Sequence, residues 1–207
     1  MKVRTILNVG VTSIFAIIVG SILMIVVRGV STRASAMEAP VLGSVPEFAL
    51  TEAAGTTLRR ADLLGKVWIA SFIFTRCASV CPMTMRHEVQ LQAELPRRDD
   101  LRLVSFSVDP DWDTPKVLTE YARMFGADRS RWLFLTGDKR QIYHLSIEGF
   151  RLAAQEADPA KEMPILHSTK LVLVDRRGAI RGYYDSTDET ELHKLIRDVR
   201  EVLAERS

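Results

Sequence analysis

The chain has only two cysteines in 207 residues, so no framework of disulfides holds it together and a hydrophobic core has to do so. It has no excess of either charge: 28 Lys and Arg stand against 26 Asp and Glu, a formal net charge of +2. That balance excludes the lopsided or clustered charge of a nucleic-acid binder, and no nucleic-acid partner is expected. The basic pairs Arg59-Arg60, Arg97-Arg98 and Arg176-Arg177 are dispersed among predicted turns and are expected to be solvated. Internal repeats and low-complexity tracts are missing too, which leaves room for one domain plus a tail.

The tail is an apolar run. Ile6 to Val27 carries no charged residue, and as a helix it would extend roughly 33 Å against a hydrocarbon core of about 30 Å. Lys2 and Arg4 precede it, and Arg28 and Arg33 follow. Ala34-Ser35-Ala36 offers an A-x-A-like cleavage site, but a signal-peptide core is ~7–15 residues and this run is longer. The expectation is one N-terminal transmembrane helix, an uncleaved membrane anchor over 1–28. The run starts too early to leave space for a transit peptide, which favours a bacterial plasma membrane, with the N-terminus cytoplasmic and the soluble part periplasmic. Residues 29–44 are small, polar and Pro-containing and read as a linker, and the globular domain is expected over 45–207.

In that domain strands and helices alternate. Phe48–Leu50 and Thr56–Leu58 suggest a hairpin, and Val67–Phe74 is an apolar run of strand length suited to a buried central strand. Pro82 to Leu95 has Met85, Val89, Leu91 and Leu95 at helical spacing, and Leu101–Val108 is a second strand. Thr114 with Pro115 behind it is an N-cap and first helical position, opening a helix to about Phe125. Trp132–Leu135 reads as a strand and Lys139–Leu145 as a short helix. Thr169–Val174 and Ala179–Tyr184 flank the turn Asp175-Arg176-Arg177-Gly178, a hairpin, and Glu189–Ala204 is an amphipathic final helix. The order predicts an α/β domain with a mixed sheet flanked by helices.

The two cysteines lie in FTRCASVCPMT, between the buried strand and a helix start. Pro82 suits the first helical position, which puts Cys81 at or beside the N-cap, where unpaired amides and the helix dipole favour a thiolate. Cys77 stands just before, with three residues of slack. A purely stabilising disulfide fits an exported domain, but so short a loop contributes only about 2 kcal/mol, against about 4.7 for a loop of 100 residues. Of four histidines, His87, His144 and His193 read as surface or packing residues. His167 differs: it ends an exposed loop, Glu156–Pro164 and beyond, and leads directly into a strand. Two thiolates and one imidazole suit Cu(I), and the imidazole suits Cu(II) as well, while zinc would want a fourth ligand or an open water position. Met83 and Met85 are soft donors, but the helix is expected to carry them into the core.

Three segments carry a resemblance: FIFTR followed by Cys77-x-x-x-Cys81-Pro82, Val108-Asp109-Pro110-Asp111-x-Asp113-Thr114-Pro115, and Leu166-His167-Ser168-Thr169 before a strand and Asp175. Together they resemble the Sco/SenC family over about residues 45–205. The resemblance implies a thioredoxin-like fold in which Cys77, Cys81 and His167 bind copper. It also implies a role in supplying copper to, or reducing the thiols of, the dinuclear copper (CuA) site of cytochrome c oxidase. The partners expected from it are the copper-bearing oxidase subunit or another copper chaperone, a thiol reductant and the membrane. The family commonly has an aspartate directly before the histidine, where this chain has Leu166. Asp109 is similar to a family aspartate near the site and reads equally as a strand-end residue satisfying turn amides. The leading function is therefore a copper metallochaperone without substrate turnover. The alternatives are a thiol–disulfide oxidoreductase working through Cys77 and Cys81, and a peroxidase suggested by Thr75 and VCPMT.

Overall fold

Seven consecutive buried residues, Val67–Ile73, form the strand about which the domain is organised. The computed structural model describes Met24 and residues 40–76, 81–152 and 168–205, with only the backbone at 81 and 82. The apolar run expected to cross a membrane lies outside the described residues, as does the loop expected over 156–164. Among the described residues no helix is long and apolar enough to span a bilayer.

The strands are β1 (Gly43–Ser44), β2 (Ala49–Glu52), β3 (Thr57–Arg59), β4 (Val67–Ile73), β5 (Leu101–Ser107), β6 (Trp132–Thr136), β7 (Lys170–Val174) and β8 (Ala179–Asp185). The helices are α1 (Cys81–Glu94), α2 (Pro115–Met124), α3 (Lys139–His144) and α4 (Glu189–Ala204), and α3 runs on into a π-helical turn, Leu145–Gly149. Among the described residues, all eight strands join one sheet in the order β1-β8-β7-β4-β5-β6-β2-β3. The pairs β4–β5 and β5–β6 are parallel, and every other pair is antiparallel. The mixed sheet predicted from the element order is therefore present. Gly43 and Ser44, placed in the linker by composition, instead pair with Ile180 and Ala179 of β8.

Because side chains alternate across a strand, β4 serves two cores at once. Val67, Ile69 and Ile73 join Leu103, Leu171 and Leu173 beneath Met85 and Leu91 of α1, Leu95 just past its end, Leu118 of α2 and Leu192, Leu195 and Val199 of α4. Trp68, Ala70 and Phe72 face the other way, with Phe106, Val172, Ile142 and Phe150. Phe106 is the hub of that second core, stacked on Phe72 at 5.1 Å between ring centroids and edge-on to Phe48 at 5.6 Å.

Thr114 caps α2 as expected: its side chain accepts a hydrogen bond from Val117 N, and Pro115 occupies the first turn. Thr114→Ala should lower the melting temperature by about 2–4 °C, the equivalent of about 1 kcal/mol for a cap in a domain of this size. An unchanged thermal melt followed by circular dichroism would remove the cap from the account.

The β7–β8 turn departs from expectation in its charges. Gly178 takes a left-handed φ of +80°, which favours glycine, and a Cβ there would lie 2.6 Å from the Arg60 guanidinium and push that side chain aside. Arg176 is not solvated. It pairs with Asp100 at 2.9 Å and donates to the carbonyls of Val202, Leu203 and Glu205 at 3.1–3.2 Å, closing the C-terminal end of α4 with a positive charge. Arg60 likewise pairs with Glu47. Sequence spacing shows neither the end of α4 folding back onto Arg176 nor Glu47 lying beside Arg60.

Candidate functional site

The parallel strands β4 and β5 both finish at one end of the sheet, and helices start from there. In open α/β sheets the crevice beyond the carboxyl ends of the strands is where ligands bind. α1 opens at Cys81, one residue earlier than the apolar spacing predicts, with Pro82 second. Proline is tolerated there because amides of the first turn have no partner inside the helix. The first turn carries no acidic residue, so no carboxylate of its own competes for those amides. The start of this helix therefore favours an anionic sulfur on electrostatic grounds. Cys77 and His167 lie outside the described residues, and so does the side chain of Cys81. Leu166 lies outside them as well.

What leads into the cysteines is described in full to Arg76, and it is held by two aspartates. Asp113 is completely buried. It accepts hydrogen bonds from Thr75 N at 3.1 Å, from Thr75 Oγ1 at 2.5 Å and from Ser107 Oγ at 2.6 Å, so the carboxylate is satisfied without a cation. Asp109 accepts from Arg76 Nε at 3.0 Å, and the Arg76 guanidinium lies 4.7 Å from the centre of the half-exposed Trp112 ring. The turn amides go to the main-chain carbonyl of Asp109, Trp112 N and Asp113 N donating to Asp109 O, which sets aside the reading of its carboxylate as their acceptor. The side chain holds the residue next to Cys77 in place.

The opposite wall comes from the far side of the sheet. β7 runs antiparallel to β4, so its start, just after Ser168 and Thr169, lies at the end where β4 finishes. The end of β8 returns to the same place, and Ser186 N donates to Thr169 O at 2.7 Å. Ser186 Oγ lies 2.8 Å from Thr84 Oγ1, and the Nδ1 of His87 donates to Ser186 O. A carbonyl only accepts, so that nitrogen carries the proton. His87 is thus a packing residue, as expected, and His144 and His193 are exposed. Met85 is fully buried in the core, whereas Met83 remains partly exposed at the helix start and does not enter it.

Beneath the helix start lies a buried carboxyl. Glu88 is seven residues beyond Cys81, two turns on and nearly on the same stripe of α1, about 10 Å further along the axis. The hydroxyls of Ser71 and Ser105 lie 2.7 and 3.2 Å from its Oε1 and 2.9 Å from each other. The indole Nε1 of Trp132 donates to Ser105 Oγ at 2.9 Å. Glu88 Oε2 is buried without a hydrogen-bond partner among the described residues. Burial pushes the Glu88 carboxyl up to about 7, with the Ser71 and Ser105 hydrogen bonds pulling the other way.

Sequence reasoning singled out neither Glu88 nor Ser186, and it met Arg76 and Thr84 only as letters of FIFTR and VCPMT, with no role for either. For Glu88 a signal existed, since it falls on the apolar stripe with Met85 and Leu95. For Ser186 none did, because its partner Thr84 is 102 residues away. Among the described residues no three His, Cys, Asp or Glu side chains are grouped to hold a metal.

Comparison with known proteins gives a consistent answer. The family model described as SCO1/SenC matches residues 38–204. The SCO1 protein homolog of Bacillus subtilis (strain 168) is 31% identical over 163 residues, covering 78% of this chain and 83% of that protein. Among solved structures, BsSco, described as a member of the Sco family of cytochrome c oxidase assembly proteins with a disulfide switch, superposes with a TM-score of 0.67. It is 29% identical, over 82% of this chain and 98% of that one. ScoI of Bradyrhizobium japonicum, solved with copper bound, gives a TM-score of 0.60 at 25% identity, over 77% of this chain and 99% of that one. The mixed sheet flanked by helices is a thioredoxin-like fold.

Proposed function

The chain belongs to the SCO1/SenC family, and from that premise we propose that it is a membrane-anchored copper metallochaperone. In this reading Cys77, Cys81 and His167 bind copper as cargo, and the protein supports assembly of the dinuclear copper (CuA) site of cytochrome c oxidase. Residues 1–28 anchor it in a bacterial plasma membrane with the domain on the periplasmic side, the apolar length of Ile6–Val27 being the support for that placement.

The observation that carries the reading is the convergence at one end of the sheet. The helix that opens at Cys81, the loop that leads to Cys77 and the strand that follows His167 all meet there. Two thiolates and an imidazole are a soft donor set that suits Cu(I), and the imidazole extends it to Cu(II). That a copper-bound structure exists for the ScoI relative agrees with this.

Full-length protein purified in detergent and reduced should take up one copper per chain in titrations with Cu(I) and with Cu(II). Replacing a residue that merely orients a ligand weakens metal binding by ~10–100-fold, so His167→Ala, which removes a ligand, should cost at least that. Thiol titre should be unaffected. Unchanged affinity in His167→Ala would refute the three-ligand site.

A second reading, a thiol–disulfide oxidoreductase that keeps partner cysteines reduced through Cys77 and Cys81, is favoured by the disulfide switch described for BsSco. It predicts that His167→Ala retains full reductase activity towards a disulfide-bonded peptide.

A further inference from the structure

Two residues at the end of β8 hold together parts of the chain that carry different ligands in the proposed copper site. Ser186 is completely buried and Thr84 is nearly so. Thr84 is in the first turn of α1, three residues after Cys81, and its hydroxyl lies 2.8 Å from that of Ser186. His87, one turn on, donates to the Ser186 carbonyl. On its other side Ser186 N donates to Thr169 O at 2.7 Å, and Thr169 is two residues after His167. Asp185 reinforces that side: its carboxylate accepts from Thr169 Oγ1 at 3.2 Å and from Lys170 Nζ at 3.1 Å. The path from Cys81 to His167 is therefore a short relay of hydrogen bonds through Thr84, Ser186 and Thr169.

We infer that Ser186 is a positioning residue, which fixes the first turn of α1 against the strand leaving His167 and so sets the distance and angle between the sulfur and imidazole donors. This rests on the copper reading above. The argument is geometric. α1 is otherwise seated by apolar contacts such as Met85, which resist separation but tolerate sliding, and by the hydrogen bonds of Glu88 to Ser71 and Ser105, which hold it to β4 and β5 but not to β7, the strand leaving His167. Hydrogen bonds of 2.7–2.8 Å, one of them between two buried hydroxyls, fix register as well as contact. A three-donor copper site needs its register fixed, because ligands on separate elements otherwise drift together with those elements.

The test uses the full chain, reduced, with Ser186→Ala and Thr84→Val to break the contact and Thr84→Ser to keep it. Each variant is titrated with Cu(II), followed by the thiolate-to-copper absorption band and by electron paramagnetic resonance. Hydrogen exchange is read on the metal-free protein. Ser186→Ala and Thr84→Val should still bind copper but ~10–100-fold more weakly, the usual consequence of losing an orienting partner, and with a changed resonance spectrum. In the metal-free protein, exchange should quicken together at 84–87 and at 169–170. Thr84→Ser should restore both the affinity and the spectrum. A merely structural hydroxyl predicts a lower melting temperature, by about 2–4 °C, with the affinity and spectrum of the wild type, and that result overturns the inference. A wild-type chain whose copper binding is indifferent to His167→Ala overturns the copper reading, and the positioning role falls with it. The two failures are distinct, since the second shows in the His167 variant and the first only at Ser186 and Thr84. Thr84→Val keeps the inference falsifiable should Ser186→Ala fail to fold.

Discussion

Oxidising the full chain to a Cys77–Cys81 disulfide is expected to abolish copper binding, and a thiol reductant to restore it completely. Of the three proposed donors, two are sulfurs, and the thiolate is the form that binds metal. Forming the disulfide takes two electrons and two protons from the pair and leaves a lone imidazole, which holds copper too weakly to survive buffer exchange. Cys81→Ser keeps Cys77 and His167, so under reducing conditions it should bind copper far more weakly than the wild type but short of the complete loss on oxidation. Its loss should exceed that of His167→Ala, because it removes the thiol of the residue that opens α1, where unpaired amides favour an anion. The measurement is copper retained after gel filtration, alongside the free-thiol count, for reduced, oxidised and re-reduced protein. An oxidised chain that retains stoichiometric copper would show that the sulfurs are not the donors. The expected result would make redox state a gate on the cargo, with the disulfide acting as the empty form.

Glu88→Gln should make the protein markedly more stable above pH 7 and no more stable below pH 4.5. In the unfolded chain this carboxyl loses its proton near its ordinary value of 4.5. In the folded protein, burial holds the proton until about pH 7. Between those values the native state binds more protons than the unfolded state, so stability falls as pH rises through the window, and above 7 the loss is complete. The total is on the order of 3 kcal/mol, or roughly 6–12 °C in melting temperature for a domain of this size. Glutamine keeps an acceptor for Ser71 and Ser105 and has no charge to form, so its stability should be flat across the window. Thermal melts of both proteins from pH 4 to pH 9 decide the matter. Parallel curves would mean that Glu88 does not titrate in this range. Trp132, whose indole donates to Ser105, offers a second reading through its fluorescence.

Most of the architecture was legible because it is periodic. β4 and β5 are apolar runs of strand length, α4 shows one stripe from Leu192 to Leu203, and Thr114-Pro115 marks its helix start in two letters. Strand β1 was not legible: two residues have no period, and only pairing with Ile180 and Ala179 makes them a strand. The partners of Arg176 are not legible either, because nothing near it in sequence shows the end of α4 returning to meet it. In the candidate site, the spacing of Cys77, Cys81 and Pro82 and the step from loop to strand at His167 are local, and local patterns can be read. The supports are not local. Asp113 reaches Thr75 across 38 positions, and Thr84 reaches Ser186 across 102. Glu88 is the intermediate case, a charge set on an apolar stripe that periodicity alone marks as buried.

The pairing of β1 with β8 also bears on time. Leu42, Gly43 and Ser44 lie closest in sequence to the apolar run at the N-terminus, yet their partners are Ala179 and Ile180, near the far end of the chain. β7 must also be in place, because β8 joins the rest of the sheet only through it. A ribosome adding about 5–20 residues per second has therefore almost finished before the first strand has anywhere to dock. Up to that moment the sheet is incomplete on the side beyond β4, and the segment that will tie the domain to its N-terminal run stays unpaired. A chain of this topology is therefore still without its final fold when most of it has left the ribosome.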